Sequence, residues 1–235
     1  MSTIPCRVLS IGALAFLTLT GGAAAQTRSS AVLNALEVRT LVASADPGDN
    51  ARLSAHFFAL AERYTAEARE HSAMARAFIE SPSVRIRARS SSDHCKRLAN
   101  LATQSAATVR ELAAHHDRLA AGIPSTAPDN SARFEAGEGA RVAWEHEKAI
   151  HDLAANARTA ADHRAIEEYF DSIEKQYSRA VNEHVAMAQA YRAVPNRRGG
   201  DPAAHCDRLV TLSRDAAKEA HAAAAEHKEL AGLAR

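Results

Sequence analysis

Glu70-His71-Ser72-Ala73-Met74-Ala75-Arg76-Ala77-Phe78 returns later in the chain as Glu183-His184-Val185-Ala186-Met187-Ala188-Gln189-Ala190-Tyr191. Two further segments recur in the same order. His94-Cys95-Lys96-Arg97-Leu98 matches His205-Cys206-Asp207-Arg208-Leu209, and His116-Asp117-Arg118-Leu119 matches His227-Lys228-Glu229-Leu230. The offset is 113 residues for the first pair of histidines and 111 for the other two, so one intervening loop differs by two residues. Self-similarity at a fixed offset is the sequence mark of a duplicated structural unit. The units fall at 26–125 and 126–235.

Each unit reads as a long helical hairpin. Alanine, the best helix former, dominates both. Helical spacing predicts a first long helix from about Asp49 to Glu80, with Asp49 or Asn50 as N-cap, stopped by Ser81-Pro82-Ser83. Its return runs from about Ser92 to Ala121, with Gly122 as the C-terminal glycine. The second unit repeats this from about Asp162 to Val194 and from Pro202 to Leu233, turning at Pro195–Gly200. Shorter helices are expected before each hairpin, at Ala31–Ala45 and about Glu138–Ala157, with a linker at Gly122–Pro128.

The apolar stripes recur at alternating spacings of four and three, as on an a/d seam. On the first long helix the stripe is Leu53, Phe57, Leu60, Tyr64, Glu67, His71, Met74, Phe78. Its counterpart is Ile166, Phe170, Ile173, Tyr177, Ala180, His184, Met187, Tyr191. On the return helices the stripes are His94, Leu98, Leu101, Ser105, Val109, Leu112, His116, Leu119 and His205, Leu209, Leu212, Ala216, Ala220, Ala223, His227, Leu230. A hairpin with one stripe per helix cannot bury it alone. The expected fold is all-α, two tandem hairpins in a four-helix bundle, each preceded by a shorter accessory helix.

Residues 1–25 read as a cleaved secretory signal. Arg7 is the basic flank, Val8–Leu19 the apolar stretch, and Gly21–Ala25 the small residues before Gln26. That stretch is shorter than the roughly 20 residues of a membrane span. The expected location is periplasmic or secreted, with no membrane span in the mature chain. Cleavage removes Cys6 and leaves Cys95 and Cys206. A formal charge of +1 over 235 residues carries no electrostatic footprint for nucleic acid. Only 5% of residues are aromatic, which argues against an all-β fold.

Of twelve histidines, six occupy repeated positions on the stripes: His71, His94, His116, His184, His205 and His227. His56, His115, His146, His151, His163 and His221 are unrepeated and are expected to be solvated. Burying a charged imidazole is costly, so the repeated six need an explanation. His71 and Met74 share a helix face, as do His184 and Met187. If the hairpins pack about a twofold axis along the bundle, both pairs meet at one level. Imidazole plus thioether suits copper, and imidazole alone also suits zinc. His94, Cys95, His205 and Cys206 offer a second metal cluster or, in an oxidising compartment, a Cys95–Cys206 disulfide, and a third reading is two buried, unpaired thiols. Haem b held without covalent attachment between His71 and His184 is a further reading. These point to a non-enzymatic metal-binding protein for storage, sequestration or delivery. The alternative is a structural or interaction bundle whose seam histidines are core polar groups that set register.

Other motifs are excluded by spacing. In His146-Glu147-Lys148-Ala149-Ile150-His151 the histidines are five apart, about 140° out of phase, and cannot share a metal on one helix face. Glu-x-x-His on two helices, Cys-x-x-Cys-His, a Gly-rich phosphate loop and Gly-x-Ser-x-Gly do not occur. No nucleophile–base set stands out, so no catalytic residue is assigned.

Overall fold

The structure, a computed structural model, describes residues 32–44, 46–80, 87–122, 151–194 and 200–234. The leader at 1–25, Cys6, the linker beyond Gly122, His146, and the turns at 81–86 and 195–199 lie outside these. Among the described residues the fold is all-helical, with no strand. The helices are α1 (Ala35–Ala43), α2 (Pro47–Glu80), α3 (Arg87–Ala120), α4 (Ala160–Ala193) and α5 (Pro202–Leu233). A short helical stretch at 151–156 precedes α4. No helix of the described residues is long and apolar enough to cross a membrane.

Local chemistry sets the ends. Asn34 caps α1 in a capping box with Glu37, and Thr159 caps α4 in the same way with Asp162. α2 starts at Pro47, two residues ahead of the expected Asp49, because the Asp46 carboxylate accepts from the Gly48 N–H at 2.7 Å. Asn50, one of the two expected caps, is instead buried. Asp201 accepts from the Ala204 N–H, with Pro202 in the first turn of α5. α3 begins at Arg87 rather than Ser92, and after its last residue, Ala120, the chain turns at Gly122 with φ +72°, the left-handed conformation that glycine adopts without a Cβ clash.

Side-chain bonds fix the directions. α2 and α3 run antiparallel: Ser92 donates to the Ala75 carbonyl near the turn, while His116 meets Asn50 at the far end. α4 and α5 do likewise, with Arg192 on Asp207 and His163 on His227. α3 and α5 are also antiparallel: Glu226 and Glu219 of α5 meet Ser91, His94 and Arg97, whereas Glu111 meets His205. α2 and α4 are antiparallel too, since Tyr64 meets His184 while Glu70 meets Tyr169. One end therefore gathers the starts of α2 and α5 with the finishes of α3 and α4. The other end gathers the converse.

The two seams differ in width. α3 packs closely on α5, whose Ala216, Ala220 and Ala223 are buried and small. α2 and α4 face each other with Tyr, Glu and His, and nowhere bring Cα atoms within 8 Å. α1 lies against both α2 and α4 and buries Val38, Leu41 and Val42 there. The stripes expected on α2 and α4 are buried, except that Tyr191 is partly so. On α3 and α5 the pattern is one residue off at its start. Cys95 and Cys206 are fully buried, whereas His94 and His205 are only partly so and face the flank between the two helices.

Candidate functional site

The polar groups of the interior form three layers. In the middle, α2 and α4 exchange hydrogen bonds across their wide seam. The Tyr64 hydroxyl donates to His184 Nε2 at 3.0 Å. Glu67 accepts from the Tyr177 hydroxyl at 3.1 Å and from Gln176 at 2.7 Å, and Tyr169 donates to Glu70 at 2.9 Å. Burial raises the Glu67 carboxyl above the usual range, against the pull of the nearby Arg63 guanidinium. Burial likewise raises the Tyr64 and Tyr177 hydroxyls, so both keep their protons.

This layer is not symmetric, and one substitution explains why. Under the 113-residue offset, Tyr177 corresponds to Tyr64 and His71 to His184. A symmetric arrangement would put Tyr177 on His71. Glu67 stands where the second unit has Ala180, and it takes the Tyr177 hydroxyl instead. His71 is left 1% exposed, edge-on to Tyr169, with a buried Nδ1 that has no hydrogen-bond partner. Burial lowers its pKa to about 4 and that of His184 to about 3, so both are neutral.

The expected metal site at His71, Met74, His184 and Met187 is not brought together. Tyr64 is level with His184, and His71 lies seven residues further along α2, about 10 Å at 1.5 Å per residue. The expectation assumed a twofold axis along the helices. Antiparallel packing of α2 and α4 puts the axis across them and separates the copies. One ion needs both ring nitrogens near 2 Å, so the two histidines cannot share it. A haem bridging them meets the same obstacle. Met74 and Met187 are buried in the apolar core.

At the first end a complete relay crosses three helices. The Tyr191 hydroxyl donates to His116 Nε2 at 2.7 Å, and His116 Nδ1 donates to Asn50 Oδ1 at 2.9 Å. Asn50 in turn donates to the Asp46 carbonyl at 3.0 Å. A single tautomer satisfies every group. Phe57 stacks on the ring at 5.7 Å between centroids. His56 and His115 lie beside it, buried rather than solvated as expected. His56 Nδ1 accepts from the Leu33 N–H at 2.9 Å, and the His115 and His116 rings are 5.0 Å apart.

The second end carries the duplicate of this relay with two changes. Phe78 replaces Tyr191 and His163 replaces Asn50. His227 then has its Nδ1 3.2 Å from the Nδ1 of His163, and its Nε2 is buried without a partner. Phe170 stacks on His227 as Phe57 does on His116. His163 was expected to be solvated and is 8% exposed. The signal was present: it lies three residues before Ile166, where the a/d pattern of α4 continues. His56 and His115 carry a similar mark, each three residues after one stripe leucine and four before the next, Leu53 and Leu60 or Leu112 and Leu119. His221 is exposed, as expected, and His151 partly so.

The second expected cluster is dispersed. His94 is clamped between Glu219 on Nδ1 and Glu226 on Nε2, with hydrogen bonding from Glu226 raising its pKa and burial opposing it. Two carboxylates on opposite edges of one ring make an ion-pair staple, not a converging ligand set. His205 pairs with Glu111 at 3.1 Å beside a cavity of about 260 Å3 that His115, Arg118 and Asp201 also line. Cys95 belongs to the His94 end of α3 and Cys206 lies opposite Glu111, 17 residues away along that helix, about 25 Å. Both cysteines are free and buried, so the Cys95–Cys206 disulfide and a Cys/His metal cluster are both ruled out by antiparallel packing. Neither thiol is activated by a helix start. Burial raises Cys95 strongly and Cys206 to about 12. A thiol reagent is therefore expected to leave both unlabelled in the native protein at pH 8 and to label both in denaturant, as read by peptide mass. Rapid native labelling of either would contradict their burial.

Among the described residues no three His, Cys, Asp or Glu side chains converge on a point that could hold a metal ion. Comparison with family models, with curated proteins and with solved structures finds no match, so the likeness that bears on the site is that of the chain's first half to its second.

Proposed function

We propose that the chain is a non-enzymatic structural or interaction protein: two duplicated hairpins in one four-helix bundle, with buried histidines setting the register of the helices. The observation that carries this reading is the partner list of the buried imidazoles. His184 bonds Tyr64 across α2 and α4, and His116 bonds Asn50 and Tyr191 across α2, α3 and α4. Each bond forms only when two helices stand at one level. A single-residue slip would bury an unsatisfied polar group at about 1–3 kcal/mol. The leader-like residues 1–25 support a periplasmic or secreted location for this bundle.

A register role differs from ligand binding in what a leucine does. His71 has no hydrogen bond to lose, so His71→Leu exchanges a buried unpaired nitrogen for hydrocarbon of similar volume. It is expected to stabilise the fold by about 1–2 kcal/mol. At this chain length each kcal/mol is worth roughly 2–4 °C. His184→Leu also removes a buried Nδ1 without a partner, but it takes the Nε2 acceptor from the Tyr64 hydroxyl, so a net loss is expected. Adding Tyr64→Phe to His184→Leu is expected to recover the loss. Melting temperatures of the four proteins check this. A fall with His71→Leu, together with loss of a bound ligand in the wild type, would refute the register reading.

A further inference from the structure

We propose that His163 and His227 form a two-imidazole site for a borderline divalent transition ion, with zinc as the ion to test. The two Nδ1 atoms are 3.2 Å apart. Two nitrogens bound at 2.0–2.1 Å to one tetrahedral ion lie about 3.3 Å apart, so an ion replacing the proton that the two Nδ1 atoms share keeps nearly the same separation. They come from different helices, α4 and α5, and are 8% and 1% exposed.

The duplicate supplies the argument against a plain hydrogen-bonded pair. At the other end the same place is filled by Asn50, which serves His116 fully, and Tyr191 closes the relay. Here the two changes leave His227 with a single hydrogen bond, the Nδ1–Nδ1 contact to His163. Phe78 removes the hydroxyl that would serve His227 Nε2, and a second imidazole stands in place of the amide. The result is a pair of soft-to-borderline nitrogen donors beside an apolar wall of Phe78 and Phe170. Of their chain neighbours, Asp162 is held in the cap of α4 and Glu226 is paired with His94. His163 lies in the first turn of α4. Two protein ligands leave the other positions of a tetrahedral ion to water or an added ligand, so such a site exchanges its ion, unlike a closed four-ligand structural site.

The test is zinc titration of the metal-free full chain at pH 7.5 by calorimetry, with melting temperature read in parallel. The wild type is expected to bind one zinc ion at this site and to melt higher with zinc than without. His163→Asn installs the residue that the first unit already uses at Asn50, so its metal-free melting temperature should stay close to that of the wild type. Its zinc affinity is expected to fall on the order of tenfold or more, and its zinc-induced rise in melting temperature to vanish. Asn50→His is expected to add a second site of the same kind. Zinc binding by His163→Asn as tight as by the wild type would assign the ion to exposed histidines and overturn the proposal. So would a wild type whose melting temperature zinc does not move.

Discussion

Acidification from pH 7 to pH 4 is expected to unfold the protein cooperatively, with a midpoint near pH 5. Burial lowers His56, His71, His115 and His227 to about 4, and His116 and His184 to about 3. Arg63 adds to the lowering at His56 and His184, and Arg118 at His115. All six are neutral in the fold, while the unfolded chain protonates them near the ordinary value of 6.5. Between pH 6.5 and about 4 the unfolded state binds more protons, so stability is complete above 6.5 and is lost as pH falls. Each histidine contributes up to about 1.4 kcal/mol per pH unit, and six together on the order of 8. A whole domain is stable by only about 5–15 kcal/mol, so one to two units suffice. His94 works in the opposite sense. Its raised pKa stabilises the fold below 6.5 and that contribution fades as pH rises, and the raised Glu67 carboxyl also gains as pH falls, but these are two groups against six. Far-UV circular dichroism against pH measures the transition. An intact helical signal and an unshifted melting temperature at pH 4.5 would contradict the burial of these imidazoles as neutral groups.

Tyr191→Phe is expected to be among the most damaging single-atom changes in the chain. The hydroxyl it removes is the one that serves His116 Nε2, and with it the relay from α4 through α3 to α2 ends in an unpaired nitrogen. Leaving a buried acceptor without its donor costs about 1–3 kcal/mol. That corresponds to a fall of roughly 2–12 °C in melting temperature. The reciprocal change, Phe78→Tyr, places a hydroxyl beside the unpartnered Nε2 of His227 and is expected to stabilise by about 0.5–1.5 kcal/mol. Opposite signs from the same atom at duplicate positions distinguish hydrogen bonding from general packing. If both variants lower stability equally, shape rather than pairing governs these two layers.

Much of this was legible in the residues. The repeat and the four stripes follow from Glu70–Phe78 and its copy, because a seam needs its apolar residues at fixed spacing whatever it packs against. His163 was also legible, one step before Ile166 on the same stripe. The direction of the twofold axis was not. Parallel and antiparallel packing bury the same stripes, and only pairs such as Tyr64 with His184 distinguish them. Everything that depended on that axis changed with it: the shared site at His71 and His184, and the meeting of Cys95 with Cys206. The exchange of His94 for Cys95 on the seam has a simpler cause. Neighbouring residues on a helix differ by about 100°, and both lie close enough to the stripe to satisfy its period.

The axis across the helices has a consequence for how such a chain can diversify. A homodimer of one hairpin, packed this way, would be obliged to carry identical chemistry at its two ends, because any substitution appears at both. Covalent joining of two copies removes that obligation. Here each end is composite: Asn50 and His116 from the first copy meet Tyr191 from the second, while His163 and His227 from the second meet Phe78 from the first. Two differences, one in each copy, give one end a closed hydrogen-bonded chain and the other a pair of imidazoles with one unpartnered nitrogen. Fusion thus frees the ends of a symmetric assembly to specialise separately while both continue to rely on one common core.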